Sequence, residues 1–138
     1  SPAFAIELPD GQVVTGKTSE LLGACSAALL NALKALAGID HSVHVISPKA
    51  IEPIQTLKVD HLGSANPRLH SDETLIALAI SAATDPAAAK ALDQLSALRR
   101  CEAHSTVILS QVDSGNCAKL GLHLTSEPQY ETNKLYHR

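Results

Sequence analysis

Apolar and polar residues alternate at the start of the chain, and apolar residues then recur at helical spacing over most of its length. Residues 3–8 and 12–15 have the two-residue period of β-strands. Pro9-Asp10-Gly11 between them favours a turn, because proline fixes φ and glycine tolerates positive φ. The pattern predicts an N-terminal β-hairpin and then a loop over 16–19, in which Thr18 or Ser19 caps the next helix.

Helices and short strands are predicted to alternate along the rest of the chain. The first helix, over 20–37, is apolar around its whole circumference, which predicts a buried position, and it ends at Gly38. Ser71 is predicted to cap a later helix, after an irregular loop over 60–69. The remaining predicted elements are a strand over 43–46, helices over 48–59, 72–84 and 86–99, a strand over 106–110, a helix over 112–120, a strand over 122–125 and a polar tail over 127–138.

This order predicts an α/β fold built as one domain over residues 1–138. An antiparallel hairpin followed by βα alternation favours a mixed sheet with helices on both faces, a three-layer α-β-α arrangement. The helices over 72–84 and 86–99 form an inserted helical pair.

Composition narrows the classes of function. Hydrophobic residues make up 45% of the 138 residues and charged residues 18%, which suits a packed core. The net charge is −3 and the basic residues are scattered, so we expect no nucleic-acid partner. The longest uncharged stretches, 21–33 and 74–84, are too short to span a bilayer, so we expect no membrane partner.

The cysteines and the first residues bear on location and completeness. Three cysteines without scaffold-like spacing favour reduced thiols in a cytoplasmic protein, and no secretory signal opens the chain. The chain contains no methionine and starts with Ser-Pro, from which we expect a domain of a longer protein.

One segment matches a phosphate-loop pattern. Residues Gly11 to Thr18 read G-x-x-x-x-G-K-T and precede the predicted buried helix, so Lys17 and Thr18 are candidate ligand-binding residues. Val13-Val14 favour extended backbone, however, and the hairpin turn already accounts for Gly11. We interpret the match as accidental, with nucleotide binding or an enzyme using this segment as the alternative.

The order of hairpin, buried helix and proline-opened helix resembles the cytidine-deaminase-like fold. In that family H-x-E opens one helix and P-C-x-x-C the next, supplying zinc ligands and a proton-shuttling glutamate. The corresponding segments here read Thr18-Ser19-Glu20 and Pro48-Lys49-Ala50-Ile51-Glu52. Glu20 and Pro48 match, whereas the ligand positions hold threonine, lysine and glutamate, so the resemblance implies a deaminase-like domain without zinc. We expect no cofactor and no metal.

Two polar segments outside these motifs are further candidates for ligand binding. Asn66, Arg68 and His70 lie in a loop before a helix, and Glu102 and His104 lie at the start of a predicted strand. We expect both segments to meet near the C-terminal edge of the sheet. Hydrogen bonds that fix the loops are the alternative explanation.

Four stretches together resemble a known bacterial family. They are Val14 to Thr18, Asn66 to His70, Cys101 to Ser105 and Lys134 to His137. The whole chain resembles the C-terminal domain of a family of long bacterial proteins known only as domain of unknown function 1846. The resemblance implies a larger N-terminal portion and no established reaction.

We therefore predict a non-catalytic binding or assembly domain of a larger bacterial protein, with an unidentified small-molecule ligand as a candidate partner. The helix over 72–84 carries more apolar residues than one packed face needs. The additional apolar residues predict either a homo-oligomer or packing of this helix against the N-terminal portion.

Overall fold

The computed structural model describes residues 1–130, which form a four-stranded sheet and five α-helices. The strands are β1 (Ala3–Glu7), β2 (Val13–Lys17), β3 (Glu102–Ser105) and β4 (His123–Ser126). The helices are α1 (Ala24–Leu36), α2 (Pro48–Thr56), α3 (Ser71–Ala82), α4 (Pro86–Leu92) and α5 (Gln111–Lys119). A π-helical turn (Leu57–His61) follows α2, and a 3-10 turn (Leu95–Leu98) follows α4.

The sheet is mixed, with the strand order β2-β1-β3-β4. Strand β1 is antiparallel to both of its neighbours, and Ile6 pairs with Val14 on one side and with Ala103 on the other. Strands β3 and β4 are parallel. The prediction of an α/β fold with a mixed sheet is confirmed.

The sheet has one buried and one exposed face in the described part of the chain. Phe4, Ile6 and Val14 point inward, whereas Glu7, Thr15 and other outward residues are exposed. The three-layer prediction is therefore wrong for residues 1–130, where the structure has one helical layer. The strands themselves indicate the reason, since alternation of apolar and polar residues marks a strand buried on one face only.

Helix α1 packs across β1 and β2, and its buried side chains form the centre of the core. Gly16 makes this contact possible: a Cβ there would lie 2.2 Å from the backbone nitrogen of Ala28. The predicted buried position of this helix is confirmed.

The N-terminus of α1 differs from the prediction. The Ser19 hydroxyl accepts hydrogen bonds from the amides of Leu21 and Leu22, each at 3.2 Å, which forms a turn. Extended Gly23 then begins the helix. Glu20 consequently lies in the turn and not in the first turn of a helix, and neither Thr18 nor Ser19 caps α1.

Two strand predictions are wrong. Val45 and Ile46 are buried, but residues 43–46 form an irregular segment and do not join the sheet. The strand predicted over 106–110 lies at 102–105, because Ser105 closes a turn by accepting from the Val107 amide.

The start of α3 also differs in detail. His70 is its N-cap residue, and Ser71, predicted as the cap, is the first helical residue. None of the helices within residues 1–130 is long and apolar enough to cross a membrane. Of the predicted polar tail, 131–138 lies outside the described residues.

Candidate functional site

A polar cavity of about 100 Å³ opens where the helical layer meets one end of the sheet. Four segments surround it: the end of the hairpin, the start of α1, the loop before α3 and the connection from β3 to α5. Its polar and thiol side chains come from Thr18, Cys25, Asn66, Arg68, His70, Ser105, Ser110 and Asp113. Four residues predicted from the sequence, Thr18, Asn66, Arg68 and His70, therefore line one cavity.

Lys58, in the π-helical turn, fixes the loop 62–70 that precedes α3. The Lys58 ammonium is buried and donates to the Arg68 carbonyl at 2.5 Å and to the Glu73 carboxylate at 2.8 Å. Glu73 also accepts from the His70 amide at 2.9 Å. A buried cation thus fixes both the loop and the first turn of α3, and π-helical turns often occur at such functional positions.

The electrostatic balance at Glu73 favours its ionised form. Burial acts to raise the pKa of this carboxyl group, but the Lys58 ammonium and the His70 amide together hold it below its usual value. Glu73 is therefore ionised at neutral pH, and its ion pair with Lys58 supports the loop.

Arg68 reaches across the cavity to the segment before α1. Its Nε donates to the Ser19 carbonyl at 2.5 Å, and the Asn66 side-chain oxygen accepts from the Arg68 amide at 3.0 Å. The Ser19 contact orients the guanidinium, the Asn66 contact fixes the Arg68 backbone, and the remaining N–H groups of the guanidinium can donate to a ligand.

The start of α1 contributes positive potential to the same cavity. Gly23, Ala24 and Cys25 line it. Within residues 1–130 no side chain caps α1, and its first turn contains no acidic residue. The first N–H groups of a helix lack intrahelical partners and attract anions.

Asp113 also lines the cavity, in the first turn of α5. One of its oxygens accepts from the Ser71 hydroxyl at 2.6 Å and from the Ser71 amide at 2.9 Å. The Ser71 hydroxyl accepts in turn from the side-chain Nδ2 of Asn116 at 2.8 Å. This network joins α3 to α5 and fixes the orientation of the buried carboxylate.

Cys25 has a second buried thiol as its neighbour. Its Sγ lies 3.8 Å from the Sγ of Cys117. The hydrogen bond with Cys117, with burial next in importance, raises the pKa of Cys25. The Cys25 thiol is protonated at neutral pH, which argues against its use as a nucleophile.

The remaining predicted residues lie away from the cavity. Glu102 and His104 are on the exposed face of the sheet, where Glu102 lies 3.2 Å from the ring of His123 and His104 bonds Glu127 at 2.7 Å. Their neighbour Ser105 faces the cavity because adjacent strand residues point to opposite faces. The expected meeting of the two polar segments is therefore wrong for Glu102 and His104.

The segment that matches the phosphate-loop pattern is a β-hairpin, as interpreted from its sequence. Gly11 has a φ of +89° in the turn, its amide bonds the Leu8 carbonyl at 2.8 Å, and 13–17 form β2. Lys17 is exposed at the end of this strand, and the Glu20 carbonyl accepts from Gln55 at 2.9 Å.

No three His, Cys, Asp or Glu side chains among residues 1–130 lie close enough together to hold a metal ion. The polar groups that line the cavity are a guanidinium, an imidazole, a side-chain amide, hydroxyl groups, a protonated thiol, helix amides and one carboxylate.

Ser110 and Asp113 were not predicted as site residues, although the sequence carries a signal for their local role. Ser110 is the N-cap of α5 and accepts from the Asp113 amide at 3.2 Å, the spacing of an S-x-x-D helix start. The contact of Asp113 with Ser71 at the start of α3 depends on tertiary packing, for which the sequence contains no local signal.

Fold and site together define a small α/β domain with a polar, mixed-charge cavity at one end of its sheet. Residues 1–136 match the family model described as domain of unknown function DUF1846, C-terminal, and the chain belongs to this family. The resemblance to this family that the sequence indicated is thereby confirmed.

Named relatives place the domain in larger bacterial proteins. The chain is 61% identical over 137 residues, 99% of its length, to a UPF0371 protein of Corynebacterium diphtheriae. It is 59% identical over its full length to one of Corynebacterium glutamicum and 55% identical over 99% of its length to one of Streptococcus thermophilus. In each case the chain spans 28% of the relative's length.

Proposed function

We propose that this domain is a non-catalytic binding and assembly domain of a larger protein, and that its cavity holds a small anionic group. The observation that carries the proposal is the convergence of Arg68, His70 and the uncapped start of α1 on one cavity. Arginine suits the recognition of phosphate and carboxylate groups because its N–H donors match the geometry of their oxygens.

The size of the cavity restricts the ligand. Sites for drug-sized molecules measure roughly 300–1,000 Å³, whereas this cavity measures about 100 Å³. It can take a phosphate or a carboxylate group with a few further atoms, but not a whole nucleotide.

Asp113 restricts the ligand further. A carboxylate next to an anion site repels a fully deprotonated ligand and favours one that carries its own hydrogen-bond donor. A monohydrogen phosphate, a hydroxy acid or an amino acid has such a donor. We infer that the anionic end faces Arg68 and the donor faces Asp113.

The alternative function, nucleotide binding or an enzyme using residues 11–18, has little support. Those residues form a hairpin, and the Lys17 side chain does not line the cavity. Gly11, the first glycine of the pattern, lies in a turn, and Gly16, the second, packs against α1.

Relationship to the cytidine-deaminase-like fold is a further proposal. A hairpin followed by a buried helix supports it. Two observations disagree with the motif comparison: Glu20 lies before α1, and no strand lies between α1 and Pro48. We also propose a cytoplasmic location, supported by three free cysteines within the described residues.

Calorimetric titration with inorganic phosphate tests the proposed function. We expect saturable binding that weakens about tenfold or more in Arg68→Gln, since a charge-assisted hydrogen bond contributes roughly 1.5–3 kcal/mol. Malate, glycine and ATP titrated in parallel separate the ligand classes.

Lys17→Gln is the matched control, because it removes an exposed positive charge from the neighbouring hairpin. It should leave the affinity unchanged. Equal weakening in both variants would indicate nonspecific attraction of anions, and no binding of any probe would contradict the anion site.

A further inference from the structure

Helix α3 has apolar residues on two opposite faces. Ala77 and Leu78 face the core and are buried. On the other side Ile76 and Ile80 are 58% and 69% exposed, and Ala79 and Ala83 are exposed with them. These four residues, here named the outer stripe, follow the i, i+3, i+4, i+7 spacing of one helix face.

The outer stripe is a continuous apolar surface on one helix face and not a set of scattered residues. Scattered apolar residues are common on protein surfaces, but a continuous stripe with two isoleucines indicates an interaction site. Within residues 1–130, α3 packs chiefly on α4, α5 and α1, which leaves this face open.

We propose that the outer stripe docks against the remaining portion of the same polypeptide, the part that precedes this domain in the full-length protein. The inference rests on the assembly part of the proposed function. The chain spans only 28% of its relatives, so most of each relative's length lies outside the domain.

The small size of the stripe favours this occupant over a second copy. Separate molecules form stable interfaces of about 800 Å² per partner, with roughly 20–30 residues on each side. One helix face with four apolar residues supplies a fraction of that. A covalently linked partner has an effective concentration on the order of millimolar, so a smaller contact keeps it docked.

The experiment uses the full-length protein with a specific protease site introduced just before residue 1. After cleavage, we expect the two pieces to elute together on size-exclusion chromatography. In Ile76→Lys the association should weaken about tenfold or more, because the contact would have to bury an ammonium group.

Val13→Lys is the matched control, because Val13 is also 58% exposed but lies on the sheet. It should leave the pieces associated. Ile80→Lys provides a second variant of the stripe, and circular dichroism verifies that each variant is folded.

Three results would overturn the proposal. The wild-type pieces could separate on cleavage, or both stripe variants could stay associated like the wild type. In the third, the uncleaved stripe variant would have half the molecular mass in solution of the uncleaved wild type, while the two pieces of the cleaved variant stayed together. That result would identify a second copy of the protein as the occupant. Each of these results leaves phosphate binding in the cavity unaffected, so the two proposals fail separately.

Discussion

Residues 11–18 and residues 64–70 contrast a segment that matches a binding motif with one that matches none. The first satisfies a phosphate-loop pattern, yet it forms a hairpin whose lysine is exposed. The second has no motif, yet Asn66, Arg68 and His70 line the polar cavity. A short pattern indicates a site only if the backbone between its fixed positions can adopt the required conformation.

The two segments also differ in what fixes them. Backbone pairing with β1 and the contact of Gly16 with α1 fix the hairpin. Side-chain hydrogen bonds from Lys58, Asn66 and Glu73 fix the loop. We therefore expect substitutions in the hairpin to act on stability and substitutions in the loop to act on both stability and binding.

The largest expected effect is that of Gly16→Ala. The added Cβ would meet three backbone atoms of α1 within 2.8 Å, so strand and helix must separate. We expect a loss of about 3 kcal/mol in the free energy of unfolding. Urea denaturation followed by circular dichroism measures it.

Gly115→Ala is the control for that substitution, because nothing lies within 4 Å of its added Cβ in α5. It should stabilise the protein by roughly 1 kcal/mol. If Gly16→Ala left the free energy of unfolding unchanged, close packing against α1 would not explain the second glycine of the phosphate-loop pattern.

An intermediate effect on stability is expected at the Lys58–Glu73 ion pair, which supports the loop before α3. The pKa of Glu73 is lowered in the folded protein, so the pair contributes stability above the unfolded pKa of about 4.5. That contribution is lost as the pH falls through the lower folded value. Glu73→Gln should cost about 2 kcal/mol near pH 7.

The pH dependence distinguishes the ion pair from a merely polar contact. Between pH 6 and about pH 3, the wild type should lose more stability than Glu73→Gln, since the variant has no carboxyl group to protonate there. Parallel stability curves for the two proteins would show that the charge of Glu73 does not support the loop.

The smallest expected effect is that of Lys17→Ala on nucleotide binding. We expect no measurable affinity for ATP and magnesium in the wild type and none in the variant, because Lys17 ends an exposed strand. Micromolar binding in calorimetry that the substitution abolishes would reverse the comparison between the two segments.

The sequence predicted those parts of the fold that depend on neighbouring residues. The hairpin at Pro9-Asp10-Gly11 and the break between α3 and α4 at Asp85-Pro86 are confirmed. Both arise from neighbouring residues. Gly11 closes the hairpin turn with its positive φ, and Asp85 caps α4 by accepting from the Ala87 amide at 2.9 Å. The position of β3 was missed because its pairing with β1 and β4 is decided by distant residues.

The candidate site was predicted in part for the same reason. Asn66, Arg68 and His70 were found because polar residues cluster in a loop that precedes a helix. The contribution of Asp113 could not be found, since its partner Ser71 lies 42 residues away in the chain. Glu102 and His104 lie outside the cavity, because strand register decides which side chains face it.

Amide chemical shifts, followed residue by residue as inorganic phosphate is added to ¹⁵N-labelled protein, test the central claim most directly. We predict saturable shifts at Ala24, Cys25 and residues 66–70, the start of α1 and the loop at the cavity, with residues 11–17 unchanged. Shifts confined to residues 11–17 would contradict the account, because they would assign the anion to the hairpin and leave the cavity empty.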